Sequence, residues 1–283
     1  MELGQPSRTA MATAYARAYH QIADEPRVFT DPLALRILGV DEAELIERNT
    51  AALEAAGGDP SWPRRRRSFL AGRARFAEET VRAAVAAGTR QVVILGAGLD
   101  TFAYRNPFPE LRVYEVDHPD TQEWKRHRLA ESGIAVPDSL AFVPIDFETS
   151  TLAAGLAEAG FPRDEPAVFV WLGVVMYLTS DAIVGTLKYI AQQAPPTQVV
   201  FDYLVPATTS EEATYLKVRA DRVGAVGEPF LSYFTADEMA AVVADAGFTG
   251  VENQTATEVI AGYLGTAPQP SSGNTPRILR ATN

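Results

Sequence analysis

The chain has no cysteine, which removes disulfide frameworks, cysteine-based zinc sites and cysteine nucleophiles from consideration. Histidine is nearly as scarce, and His20, His118 and His127 show no metal-ligand spacing. Positive charge is in deficit, with 25 Lys and Arg against 36 Asp and Glu and a formal net charge of −11. Neutralisation of phosphates by basic side chains supplies most nonspecific nucleic-acid affinity, so this balance argues against a nucleic-acid partner. The local exception is Arg64 to Arg67, continued by Arg73 and Arg75, which reads as a solvated helix face or as part of an anion-binding entrance. No apolar run approaches the roughly 18 residues of a spanning helix, and the first residues lack a basic segment followed by an apolar core. No membrane partner is expected, and the expected location is the cytoplasm.

What is present is an ordinary globular composition, 47% hydrophobic and 22% charged over 283 residues, enough for one α/β domain with an added cap. Short β-branched runs alternate with helical patterns from residue 88 onward, the sequence form of a mostly parallel sheet covered on both faces. Strands are predicted at Gln91 to Leu95, Arg112 to Val116, Ala141 to Pro144, Ala167 to Leu172, Gln198 to Leu204, Gly250 to Thr255 and Arg277 to Ala281. Helices are predicted within Ser7 to Leu38, with a second start at Thr30-Asp31-Pro32, and over Arg64 to Ala87 and Thr235 to Ala246. Residues 56–63 and 265–276 are expected to be loops, being rich in Gly, Pro and Ser. Two segments interrupt the alternation, a helical extension at 1–62 and an insertion at 206–233. Long interruptions usually carry function or form a lid, so both are expected to cap the 88–283 core within a single domain.

Chemistry concentrates at three strand ends. The first strand runs into Gly96-Ala97-Gly98, a tight turn that lets a ligand approach backbone N–H groups, and then into a predicted helix capped by Asp100 or Thr101. About 20 residues later the second strand ends in Glu115 and Asp117 beside His118. An acid at that point can accept hydrogen bonds from ribose hydroxyls, and Asp117, nearer the strand end, is the stronger candidate. The third strand ends at Asp146-Phe147, where the acid suits either an adenine amine or a helix cap and the ring can pack beside the base. A nicotinamide cofactor would also suit the first two features. The dinucleotide fingerprint, however, carries a third small residue where this chain has Thr101, and roughly ninety residues precede the glycine strand here.

Taken together, RARFAEE, VVILGAGLDTFAYR, VYEVDHPDTQEWKRHRL, PIDFE and WLGVVMYLT resemble the leucine carboxyl methyltransferase-like family, especially its bacterial branch of S-adenosylmethionine-dependent O-methyltransferases. The resemblance implies a class I, Rossmann-like methyltransferase fold with a seven-stranded sheet and S-adenosylmethionine as cofactor. By family pattern, Gly96 to Gly98 hold the methionine portion, Asp117 the ribose, and Asp146 with Phe147 the adenine. The family's carboxylate-pairing arginine falls on Arg73, with Arg75 as fallback, and a guanidinium fork suits that role. One departure is that EGVLLYL of the leucine carboxyl methyltransferases proper reads here LGVVMYL. Leu172 replaces the glutamate and is expected to line the cofactor cleft, which shifts the expected acceptor from a protein C-terminus to a small acid or hydroxyl compound, such as a polyketide, fatty acid or amino acid. Tyr15, Tyr19, Tyr177, Tyr203, Phe230 and Tyr233 are candidate acceptor contacts. No metal is required and no base is assigned. The rival readings are an NAD(P)-dependent oxidoreductase and a non-catalytic S-adenosylmethionine-binding protein.

Overall fold

The computed structural model describes residues 7–55, 61–147, 149–225, 227–268 and 275–283. Four helices come first: α1 (Arg8–Ala23), α2 (Ala34–Leu38), α3 (Glu42–Ala55) and α4 (Ser61–Ala86). The Ser7 hydroxyl caps α1 by accepting the Ala10 N–H. α4 starts three residues before its predicted first residue, so Ser61-Trp62-Pro63 belong to a helix rather than a loop, with proline in the first turn where its missing N–H is harmless. Residues 56–60 of that expected loop, and 269–274 of the one at 265–276, lie outside the described residues.

The core then alternates β1 (Gln91–Leu95), β2 (Arg112–Asp117), α5 (Pro119–Glu131), β3 (Leu140–Pro144), α6 (Leu152–Glu158), β4 (Val168–Trp171), α7 (Ser180–Ala191) and β5 (Gln198–Tyr203). After α8 (Ser210–Gly224) and α9 (Ala236–Ala246) come β6 (Gly250–Thr255), α10 (Ala256–Leu264) and β7 (Arg277–Thr282). All seven predicted strands form, in the order β3-β2-β1-β4-β5-β7-β6. β1 to β5 run parallel, while β7 lies antiparallel between β5 and β6. This is the seven-stranded, mostly parallel sheet expected from the sequence.

Alternation along the strands sends Val93, Leu95, Phe169 and Phe201 to one apolar layer and Val92, Ile94, Val168 and Val200 to the other. Burial on both faces explains why the central strands β1, β4 and β5 read as mainly apolar runs, whereas the edge strand β6, which is half-exposed, reads GVENQT. Strand order reverses between β1 and β4, and a crevice outside their carboxyl ends is where open α/β sheets take ligands.

Two expectations are corrected. The glycine turn leads not into a full helix but into a single 3₁₀ turn, Phe102–Tyr104. Pro107 and Pro109 deny further helix, and the Thr101 hydroxyl, instead of capping, donates to Asp31 at 2.8 Å. α10 falls where no helix was expected; the Thr255 side chain and Glu258 form a reciprocal capping box at its start. Among the described residues, no helix is long and apolar enough to cross a membrane.

Candidate cofactor and acceptor site

A cavity of about 710 Å³ opens at the reversal point, lined by the ends of β1 and β4, by α4, and by residues of both interrupting segments. Its size lies within the range of small-molecule sites. The floor is the glycine turn. Gly96 has φ +65°, and a Cβ there would stand 2.4 Å from Val174 Cγ2. Gly98 has φ +42°, and its Cβ would stand 3.1 Å from that of Ala10, so the first turn of α1 lies directly over the turn. Both positions need glycine for conformation and for space.

Asp117 ends β2 beside this turn. One oxygen accepts the Gly98 N–H at 2.5 Å and the other the His118 N–H at 2.7 Å. Burial raises its carboxyl above the ordinary range, against the pull of those two N–H groups. Arg73, on α4, forms the opposite wall. Its Nη1 donates to Asp202 at 2.7 Å, its guanidinium stands 5.8 Å from the centre of the Phe69 ring, and the Cβ that Gly173 lacks would lie 2.7 Å from Nη2. Leu172 lines the cavity between the two walls.

The interrupting segments meet across the opening. The Thr9 hydroxyl donates to Glu228. The Leu231 N–H donates to the Met176 carbonyl at 2.8 Å and the Ser232 hydroxyl to the Val175 carbonyl at 3.0 Å, fastening the loop after α8 to the turn after β4. Arg17 of α1 pairs with Asp31 at 2.9 Å and donates to the Leu99 carbonyl at 2.5 Å, tying the extension to the glycine loop. Phe230 packs against Tyr177, with ring centroids 5.5 Å apart.

Of the residues singled out by sequence, Arg73, Gly96, Ala97, Gly98, Asp117, Leu172, Tyr177 and Phe230 line this cavity. The others lie elsewhere. Glu115, one rung back along β2, is fully buried against Lys125 at 2.7 Å and the Tyr104 hydroxyl at 3.1 Å. His118 caps α5 through its ring nitrogen. Asp146 and Phe147 are outside the lining; Asp146 accepts two N–H groups on its carbonyl, Thr151 rather than Asp146 caps α6, and Phe147 is 62% exposed. Tyr15 and Tyr19 pack in the cluster around α1 and beneath the guanidiniums of Arg48 and Arg67. Tyr203 sits in the core, bonded to Asn253, because its side chain points into the sheet-packing layer. Tyr233 is outside the lining and meets the lining residue Phe230 edge-on, with ring centroids 6.4 Å apart. The sequence reading passed over Asp202, Gly173, Thr9, Phe69, Arg219 and Glu228, all on the lining. Asp202 carried a signal, an acid inside the apolar strand VVFDY.

The donor set suits a zwitterionic nucleoside. A guanidinium can take an amino-acid carboxylate, a turn without side chains admits a chain close to backbone, and a strand-end carboxylate can accept from a sugar diol. The family model described as leucine carboxyl methyltransferase matches residues 10–191. A Bacillus subtilis protein provisionally named S-adenosyl-L-methionine-dependent methyltransferase YktD is 31% identical over 267 residues, covering 87% of this chain and 88% of that protein. A similarly named Mycolicibacterium smegmatis protein is 36% identical over 220 residues, covering 75% and 70%. Among solved structures, magnesium protoporphyrin IX methyltransferase from Synechocystis with bound SAH aligns over 76% of this chain and 85% of its own, at 14% identity and a TM-score of 0.47. The chain belongs to the leucine carboxyl methyltransferase family of S-adenosylmethionine-dependent methyltransferases.

Proposed function

We propose that the protein methylates an oxygen of a small molecule, and that the acceptor is a carboxylate in preference to a hydroxyl. The observation that carries the preference is the state of the cavity's acids. Asp117 holds backbone N–H groups, Asp202 holds Arg73, Asp100 accepts from the Phe102 N–H, and Glu228 accepts from Thr9. No histidine is among the described residues of the lining. Burial pushes the Tyr177 hydroxyl above the ordinary phenol range, so at neutral pH it is a donor and not a base. A carboxylate acceptor is already ionised near pH 7 and requires no proton to be removed.

When bound, S-adenosylmethionine supplies an electrophilic methyl on a sulfonium, open to in-line attack by the acceptor oxygen. Arg73 takes the cofactor's carboxylate, the Gly96 to Gly98 turn seats its amino-acid chain, and Asp117 accepts from its ribose. Phe69, Met176, Tyr177 and Phe230 form the apolar part of the acceptor side, with Arg219 beside the Phe230 ring. Thr9 and Glu228 hold the two interrupting segments together above it, excluding water and keeping the reactants near attack distance.

The test is turnover with methyl-labelled S-adenosylmethionine over matched acids, phenols and alcohols of polyketide, fatty-acid and amino-acid type, with products read by mass spectrometry. Base-labile methyl esters are the expected products. Ethers alone would reverse the carboxylate preference. Cofactor binding without turnover on any acceptor would favour a binding protein.

A further inference from the structure

We infer that Asp202 is the positioning residue that presents Arg73 to the amino-acid end of the cofactor, an inference that rests on the cofactor role proposed for Arg73. Asp202 is on β5, 1% exposed, with no apolar reason to be there. Burying a carboxylate costs several kcal/mol unless its oxygens are satisfied. Both are: Oδ2 accepts Arg73 Nη1 at 2.7 Å and Oδ1 accepts the Gly173 N–H at 2.6 Å. The single side chain thus links α4 to the loop after β4.

The seat has three sides. Asp202 holds one nitrogen, the Phe69 ring faces the guanidinium, and Gly173, at φ +74°, leaves the space into which a Cβ would intrude 2.7 Å from Nη2. A guanidinium carries five N–H donors in a rigid fork, so fixing it through Nη1 aims the remaining edge. Arg73 and Asp202 both line the cavity, and Asp202 lies behind Arg73 in exposure, 1% against 9% by side chain. A long arginine left unfixed would pay rotamer entropy on each binding event, a cost that preorganisation removes. Charge alone would act the other way, since an anion beside Arg73 weakens its pull on a second carboxylate. Positioning outweighs this.

Calorimetric titration separates the two effects with a pair of ligands. S-adenosylhomocysteine has the amino-acid end, and 5′-methylthioadenosine keeps adenine, ribose and thioether without it. In the full-length protein, Asp202→Asn is expected to weaken S-adenosylhomocysteine on the order of tenfold, the loss typical of a charge-assisted hydrogen bond, and to leave methylthioadenosine unchanged. Arg73→Ala is expected to show the same selectivity, and the double variant no further loss. If Asp202→Asn does not fold, Asp202→Glu, which keeps the charge but displaces the fork, is read by the same ratio. Equal weakening of both ligands makes Asp202 a general structural residue and overturns the proposal. Tighter S-adenosylhomocysteine binding in Asp202→Asn overturns it as well, because Asp202 would then compete with the cofactor for Arg73. Failure of the underlying reading is distinct: Arg73→Ala would weaken both ligands alike or neither.

Discussion

Replacing Gly96 with alanine perturbs the floor of the site in two additive ways. At φ +65° any L side chain meets its own backbone, a cost of about 1–2 kcal/mol. The new methyl would also stand 2.4 Å from Val174 Cγ2, an overlap of the kind that costs about 1–3 kcal/mol when a packed region must shift. Gly96→Ala should therefore lose about 2–5 kcal/mol of unfolding free energy, measured by urea titration with unchanged m-value. Val174→Ala alone removes two half-buried methyls and should cost about 1 kcal/mol. In the double variant the overlap disappears while the backbone cost stays, so the two changes should be sub-additive by about 1–3 kcal/mol, a coupling that a double-mutant cycle reads directly. Additivity within about 0.5 kcal/mol would refute contact between the turn and Val174, and a loss of the same small size for Gly96→Ala alone would refute the claim that the turn requires glycine.

Two further expectations concern buried charge. Burial would raise Asp24, but hydrogen bonds from His20 and Arg67 outweigh it and lower its carboxyl from 3.8 to about 2. Its contribution, about 2 kcal/mol from that shift, should be complete above about pH 4 and lost as pH falls through about 2; a stability gap between wild type and Asp24→Asn that ignores pH would contradict this. Burial raises Glu115 despite Lys125 beside it, so Lys125→Met should strand the carboxylate and cost about 3–5 kcal/mol. A carboxyl raised by the fold titrates later there than in the unfolded chain, so this loss should deepen as pH rises, and Lys125→Met with Glu115→Gln should recover part of it. A pH-independent loss with no recovery would show that packing alone, not charge, is at stake.

Most of the fold was legible because the local signals agree. Five- and six-residue apolar runs such as Gln91–Leu95 and Gln198–Tyr203 are buried on both faces, and a strand in that position has only one pattern to show. The glycine turn and Asp117 were legible for the same reason, since turn conformation and strand end are local properties. Where competing uses of one residue existed, local reasoning could not choose. Glu115 and Asp117 share a strand face, but only the packing of α5 shows that Lys125 claims Glu115. Tyr203 looked like a cleft aromatic and is core. The α10 helix was missed although Thr255 and Glu258 spelled its capping box. Asp202 with Arg73, and Thr9 with Glu228, join segments far apart in the chain, and no periodicity within either segment encodes such meetings.

The most direct test of the cofactor site is titration of the wild-type protein with S-adenosylmethionine and S-adenosylhomocysteine, with NAD and NADP as controls, repeated on Arg73→Ala and Asp117→Ala. One-to-one binding of the sulfur compounds in the micromolar range, weakened in both variants and absent for the nicotinamides, is expected. Binding by wild type that neither folded variant alters would contradict the placement of the cofactor at this cavity.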